Sequence, residues 1–544
     1  MVKLDRREWT CLVTLLAILG VFAVHFFSFT VFDGHSTFAN DSFSYIREAR
    51  NVSPWFDTAP HNLQTVPEHK RSPGFSWVLA LTGASHSLWA AHLLVSVAML
   101  AAIGWCGWQA FRASGRLVGT IATVAFCLLP GALISSMGIL SENLYLLWSL
   151  LTISYYRRVR QSPEESWSGY AVLAALLATA MLTRTVGVAL AMAVFIAALF
   201  AYGGNRRTAL RLAASVGLGI LLWAAWYALN TDDGAPAQHV FLAPIFAGEG
   251  IEWVARYAAL MSGNIVSMVH AWNHYLTLSL SGAWFGLTSY VLLALCVVAT
   301  ILRAIRLHVD ALYLVCYIVV VLAWPYPDAM GRFLHPAVML LLLQPLFLLG
   351  WATKRYQLAP RMAASLAIVA VVTVNGLLAH LHLAQLRAGV EAQEPGLAHY
   401  VEFYDLTDRE EATRLSRVWQ LTENLMRSSA GMVPSDATVA TVKHEAYMLL
   451  TDRHATMFST LVPWPQQLCN LVIRDVDFVF LSPLHSKYVT DPFELIDHLT
   501  PISEYVLNSS DESGDLAYLL KLDRVALTAA LAETGFECRD FRLR

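Results

Sequence analysis

Between Trp9 and Leu383 the chain returns repeatedly to one device, a run of about twenty apolar residues followed by a short polar connector. Wound as a helix, such a run is as long as a bilayer's hydrocarbon core is thick, about 30 Å. The runs fall at 9–32, 87–111, 117–133, 140–156, 168–183, 186–203, 208–229, 281–302, 310–325, 333–351 and 362–383, so the sequence predicts about eleven transmembrane helices. Composition agrees: 56% of residues are hydrophobic and 14% are charged, against the roughly 25% charged residues of soluble domains. The first run follows "KLDRRE" and precedes no small-residue cleavage site, so it reads as a retained anchor.

Lysine and arginine concentrate in alternate connectors: "KLDRRE", "RASGR", "RRVR", "RRTALR", "RAIR" and "KRYQLAPR". By the positive-inside rule these face the cytoplasm, which places the N terminus inside and the C terminus outside. Two outer loops are then expected, 33–86 and 230–280, attached to a membrane domain of residues 1–384. Residues 397–544 change character. Short apolar runs, "ATVATV", "VDFVFL" and "LAYLLKL", alternate there with helical patterns such as "DREEATRLSRVWQLTENLMRSS" and "PFELIDHL", which predicts a soluble, extracytoplasmic α/β domain. Five cysteines, Cys11, Cys106, Cys127, Cys296 and Cys316, lie in apolar runs as small hydrophobes. Cys469 and Cys538 lie in the tail, where an oxidising compartment would permit pairing and their spacing decides nothing. A net charge of −3 argues against a nucleic-acid partner, and no metal site or cofactor is expected.

Charges embedded near a membrane are expensive and therefore informative. The stretch "FANDSFSYIREARN" carries Asp41 just beyond the first run, and "EHKRSPGFSW" carries Lys70 and Arg71 before the second. Glu142 opens the run "SENLYLLW", Arg184 is the single charge in residues 168–203, and "YPDAMGRFLHP" holds Asp328, Arg332 and His335 between two apolar runs. The predicted topology delivers Asp41, Lys70, Arg71, Glu142, Arg184, Asp328 and Arg332 to the outer side at one depth. Taken singly, each has a plain alternative. Asp41 and Glu142 suit helix N-termini, and the arginines suit interfacial anchors. Glu252, Trp253, His270, Trp272 and His274 offer sugar-stacking or hydrogen-bonding groups in the second loop, or simply interfacial packing.

Arginine forks beside one carboxylate at headgroup depth suit a lipid-linked phosphate. If that phosphate is the leaving group it departs as a stable anion, so one general base replaces the carboxylic-acid pair of glycosidases. In this setting "NDSFSYIREARN", "RSPGFSWVLAL", "SENLYLLWSLL", "LTRTVGVAL" and "GRFLHPAVMLLL", in that order over residues 33–345, resemble the bacterial GT-C glycosyltransferases. That family uses polyprenyl-phosphate sugars and includes protein O-mannosyltransferase and aminoarabinose-transferase enzymes. The tail stretch "VATVKHEAYMLLTDRHATMF" resembles part of the extracytoplasmic tail of some members. The resemblance implies a GT-C-like membrane domain in a bacterial inner membrane, with Asp41 as catalytic base and Glu142 orienting a substrate or a neighbouring arginine. It further implies that Lys70, Arg71, Arg184, Asp328, Arg332 and His335 bind substrate. Donor and acceptor would be a polyprenyl-phosphate-linked sugar and a hydroxyl of a lipid, glycan or protein. Thr185 stands where the family's arginine turn often has proline, and the first loop lacks the Asp-x-Asp pair of metal-dependent oligosaccharyltransferases. A polymerase or ligase with polyprenyl-diphosphate donors, or a noncatalytic lipid transporter or assembly protein, are the alternatives.

Overall fold

The structure, a computed structural model, describes residues 6–31, 40–55, 72–161, 167–201, 206–230, 252–324, 329–356, 361–400, 409–458, 463–482, 495–510, 516–536 and 538. It divides into two compact units. The first comprises Met1–Asp33, Glu68–Val78 and Trp89–Ala384, and the second Gly34–Pro67, Leu79–Leu88 and Gln385–Arg544.

All eleven apolar runs form helices, because in lipid a backbone can satisfy its polar groups only internally. They begin with α1 (Arg6–Thr30), which is followed by the short α2 (Asn40–Val52) and α3 (Gly74–Leu81). The series continues with α4 (Leu88–Ser114), α5 (Arg116–Leu128), α6 (Pro130–Met137), α7 (Glu142–Gln161), α8 (Trp167–Thr183), α9 (Val188–Ala201) and α10 (Arg206–Asn230). It ends with α11 (Glu252–Thr277), α12 (Ala283–Ala304), α13 (Val309–Leu322), α14 (Met330–Tyr356) and α15 (Arg361–Glu391). Among the described residues six of these, α1, α4, α10, α12, α14 and α15, are individually long and apolar enough to cross a bilayer. The chain is thus a polytopic helical membrane protein. Run 117–133 is broken: Pro130 begins a new helix and the pair α5–α6 bends by 49°. α8, α9 and α13 are shorter apolar helices. Residues 252–277, read from sequence as part of an outer loop, form a helix of 26 residues whose Trp272 is buried and donates to the Ser289 carbonyl of α12 at 3.0 Å.

In the second unit a five-stranded sheet has the order β2-β1-β3-β5-β4. Strands β1 (Thr438–Thr441), β2 (His454–Met457) and β3 (Phe478–Leu481) are parallel, while β4 (Ser503–Ser510) and β5 (Leu516–Leu522) add an antiparallel edge. "FVFL" of β3 is continuously apolar because both faces of the sheet are covered. One face buries Val439, Phe478, Phe480 and Leu519 against α16 (Arg409–Ser429) and α17 (His444–Thr451). The other buries Ala440, Val479, Leu481 and Leu520 against α18 (Trp464–Ile473), α19 (Ile496–Leu499) and α20 (Arg524–Glu533). Phe43 of α2 joins the first of these cores, and Arg47 lies 4.0 Å from Glu445 of α17. Helix α2 therefore folds as part of the tail's own layer.

Cys469 and Cys538 are bonded to each other across 69 residues, with Cα atoms 5.6 Å apart. The bond ties α18 to the end of the chain beyond α20. Replacing Cys538 by Ser should cost the tail about 2–4 kcal/mol, read as a lowered denaturant midpoint of the tail transition under oxidising conditions. Equal midpoints for the variant and the parent would remove this stabilising role. The remaining five cysteines are buried in helices and unpaired with one another.

Candidate active site

The site begins with a helix start. Glu142 is the first residue of α7, so its carboxylate stands at the positive end of the helix dipole, and it is only 1% exposed. Buried carboxylates require partners, and Glu142 has two. Arg184 contributes Nη1 at 2.5 Å from Oε1, and Arg332 donates Nε to the same oxygen. Arg184 occupies the turn between α8 and α9, in extended conformation ahead of a 3₁₀ turn at Thr185–Gly187. It also donates to Ser141 Oγ at 3.3 Å, and its guanidinium lies 5.6 Å from the centre of the Phe333 ring. Arg332 comes from the first turn of α14.

A close approach helps to seat Arg184. A Cβ on Gly74, in the "RSPGFSW" stretch, would fall 2.8 Å from the backbone of Leu182 and Thr183, immediately before the arginine. Any side chain at 74 would displace that turn.

Two guanidinium groups thus converge on one carboxylate oxygen. Glu142 Oε2 is buried and accepts no hydrogen bond among the described residues. Beside the pair opens a small cleft, walled by Arg184, Thr185, Tyr317, Val321, Trp324 and Phe333. One end of it is cationic and the rest is aliphatic and aromatic. Asn264 of α11 anchors its rim by donating to the carbonyls of Leu322 at 2.8 Å and Trp324 at 2.7 Å. The lining residues Tyr317, Trp324 and Phe333, and the anchor Asn264, were not singled out from sequence, since aromatic and amide groups in apolar runs carry no distinguishing pattern.

His335 lies one turn beyond Arg332, behind the pair and outside the cleft lining. Asn143 uses its amide nitrogen to donate to Ser136 Oγ at 2.8 Å and to the Val95 carbonyl, so its Oδ1 accepts from His335 Nε2 at 2.7 Å. The other ring nitrogen is 3.1 Å from the Tyr275 hydroxyl and accepts from it. Both nitrogens of this buried imidazole are thus engaged in joining α7, α11 and α14. Asp41 lies in the first turn of α2, in the second unit. Lys70, Arg71 and Asp328 fall outside the described residues.

Comparison with solved structures shows what this fold is similar to. ArnT from Cupriavidus metallidurans in the apo state aligns with a TM-score of 0.51 at 14% identity, covering 95% of this chain and 98% of that one. The same protein bound to undecaprenyl phosphate gives a TM-score of 0.50 at 13% identity, covering 96% and 99%. The Archaeoglobus fulgidus oligosaccharyltransferase in complex with zinc and sulfate gives 0.45 at 12% identity, covering 92% and 72%. No protein-family model matches the chain, and no curated protein matches it. Likeness at this level of identity concerns the fold.

Proposed function

We propose that this protein is an inverting glycosyltransferase that moves a sugar from a polyprenyl-phosphate donor to an acceptor hydroxyl at the outer face of the membrane. The observation that carries the reading is the shared carboxylate. Arg184 and Arg332 meet on one oxygen of Glu142, and Arg184 also walls an apolar cleft beside that cluster. A polyprenyl-phosphate sugar is a phosphodiester with one negative charge on a hydrocarbon tail, so it matches that cleft in charge and in polarity. The undecaprenyl phosphate bound to Cupriavidus ArnT supports the same ligand class.

In the proposed reaction the acceptor hydroxyl gives its proton to Asp41 while its oxygen bonds to the anomeric carbon. The bond from that carbon to the phosphate oxygen breaks with its electron pair, and configuration inverts. Charge on the departing phosphate rises as the bond breaks, and fixed guanidinium groups offset it without reorganising. The disulfide Cys469–Cys538 supports an oxidising, extracytoplasmic side for the tail, in keeping with an outer-face reaction.

Binding of undecaprenyl phosphate to the purified protein, followed by native mass spectrometry, tests the donor site. Arg184→Ala and Arg332→Ala should each weaken binding by about 10–100-fold, the loss of a charge-assisted hydrogen bond. Unchanged affinity in both variants would remove the phosphate from this cleft.

A further inference from the structure

A second ion cluster occupies the opposite end of the same helices. Glu142 opens α7 and Arg157 lies fifteen residues later, about 22 Å along the axis, near the depth of a hydrocarbon core. There Asp310, fully buried at the start of α13, receives two arginines. Arg303 of α12 donates from a single nitrogen, Nη2, to both carboxylate oxygens at 3.0 and 2.8 Å, and Arg157 Nη2 is 2.7 Å from Oδ1. Gln344 of α14 completes the network, donating to Asp310 Oδ2 at 3.1 Å and accepting from Arg303 Nε at 2.8 Å. Arg157 also donates to Gln109 at 3.3 Å.

A structural ion pair needs one arginine, and this carboxylate has two. Among the described residues the cluster therefore keeps one positive charge beyond its carboxylate where the apolar helices end. Arg306, whose guanidinium lies 3.6 Å from the centre of the Trp351 ring, adds another. His308, in the connection between α12 and α13, reports the resulting field. Burial is the largest cause pushing it down to about 4, and Arg303, Arg157 and Arg160 push the same way against Asp310. Beside the arginines, Ile301, Leu302 and Ile305 of α12 are exposed at 49%, 39% and 73%, an apolar strip alongside a cationic head.

We infer that this end of the membrane unit is a headgroup site for one anionic phospholipid. Its phosphodiester is held by Arg157 and Arg306, and an acyl chain lies along Ile301, Leu302 and Ile305. A phosphodiester supplies the missing negative charge, and the strip supplies the contact that a free anion would not use. Basic pockets between helices at the positive-inside end of a membrane protein select anionic headgroups by the same physics. This site is separate from the proposed donor cleft and does not depend on the glycosyltransferase reading.

The full-length protein, delipidated in neutral detergent, is titrated with dioleoyl phosphatidylglycerol, with dioleoyl phosphatidylcholine, and with inorganic phosphate, and bound lipid is counted by native mass spectrometry. The expected result is saturable binding of one phosphatidylglycerol, at least about fivefold tighter than phosphatidylcholine and not displaced by millimolar phosphate. Arg306→Gln, at an exposed position, should weaken it about fivefold, the contribution of one basic residue at a membrane surface. Arg157→Gln should act in the same direction. Equal binding of the two lipids, full displacement by phosphate, or unchanged affinity in Arg306→Gln would each overturn the proposal.

Discussion

Asparagine at position 41 is expected to leave donor binding intact and to lower sugar transfer by about 10²–10⁴-fold, the usual contribution of a general base. The substitution is nearly isosteric. It keeps a polar side chain in the first turn of α2, where asparagine serves a helix start about as well as aspartate does. The rest of α2 is held independently. Phe43 and Ile46 are 1% exposed, Phe43 lies in the core of the tail, and Arg50 donates to the Ser85 carbonyl at 3.1 Å. Fold and stability should therefore survive, and the loss should appear in kcat with little change in affinity for the donor lipid. Near-normal transfer by Asp41→Asn, measured with a verified donor and acceptor, would reduce Asp41 to a helix-start residue and move the base elsewhere.

Where sequence was enough, the reason is periodicity or hydropathy on a scale longer than local detail. All eleven apolar runs became helices because a lipid-exposed backbone has few alternatives. "VDFVFL" and "LAYLLKL" are strands β3 and β5 because each is apolar enough for a sheet covered on two faces. The strands "HATM" and "SEYVLNSS" carry no such apolar run, because they form the two edges of the sheet. Helix α11 was read as loop because His, Asn and Arg interrupt its apolar residues, and its attachment through Trp272 and Asn264 is tertiary.

The two ion clusters divide in the same way. Glu142, Arg184 and Arg332 stood out as isolated charges in apolar surroundings, and the topology put them on one side. Their meeting on a single carboxylate oxygen is a matter of helix packing that no spacing encodes. At the other end, Arg157 and Arg303 were read only as positive-inside residues. That rule counts lysine and arginine and gives aspartate little weight, so it is blind to Asp310. The division of the chain was also hidden. Helix α2 precedes most of the membrane unit in sequence yet groups with the tail, because its apolar face finds its partners in α16 and α17.

Glu142→Gln is expected to destabilise the membrane unit by about 3–5 kcal/mol, the cost of breaking a buried ion pair from one side. The glutamine preserves length and can accept one hydrogen bond, but it removes the buried charge on which Arg184 and Arg332 converge. With side-chain exposures of 11% and 25%, the two guanidinium groups would then face each other largely without solvent. The measurement is thermal unfolding of the purified protein in neutral detergent. Undecaprenyl phosphate should restore part of the loss, because its phosphate supplies the missing anion. The double variant Glu142→Gln/Arg184→Gln separates charge from packing: it removes one like charge, so it should be more stable than Glu142→Gln alone while binding donor lipid no better. If Glu142→Gln unfolds at the parent temperature, the guanidinium pair does not depend on the carboxylate. The shared carboxylate, which points this cleft toward a phosphate by gathering two guanidinium groups, would then lose that role.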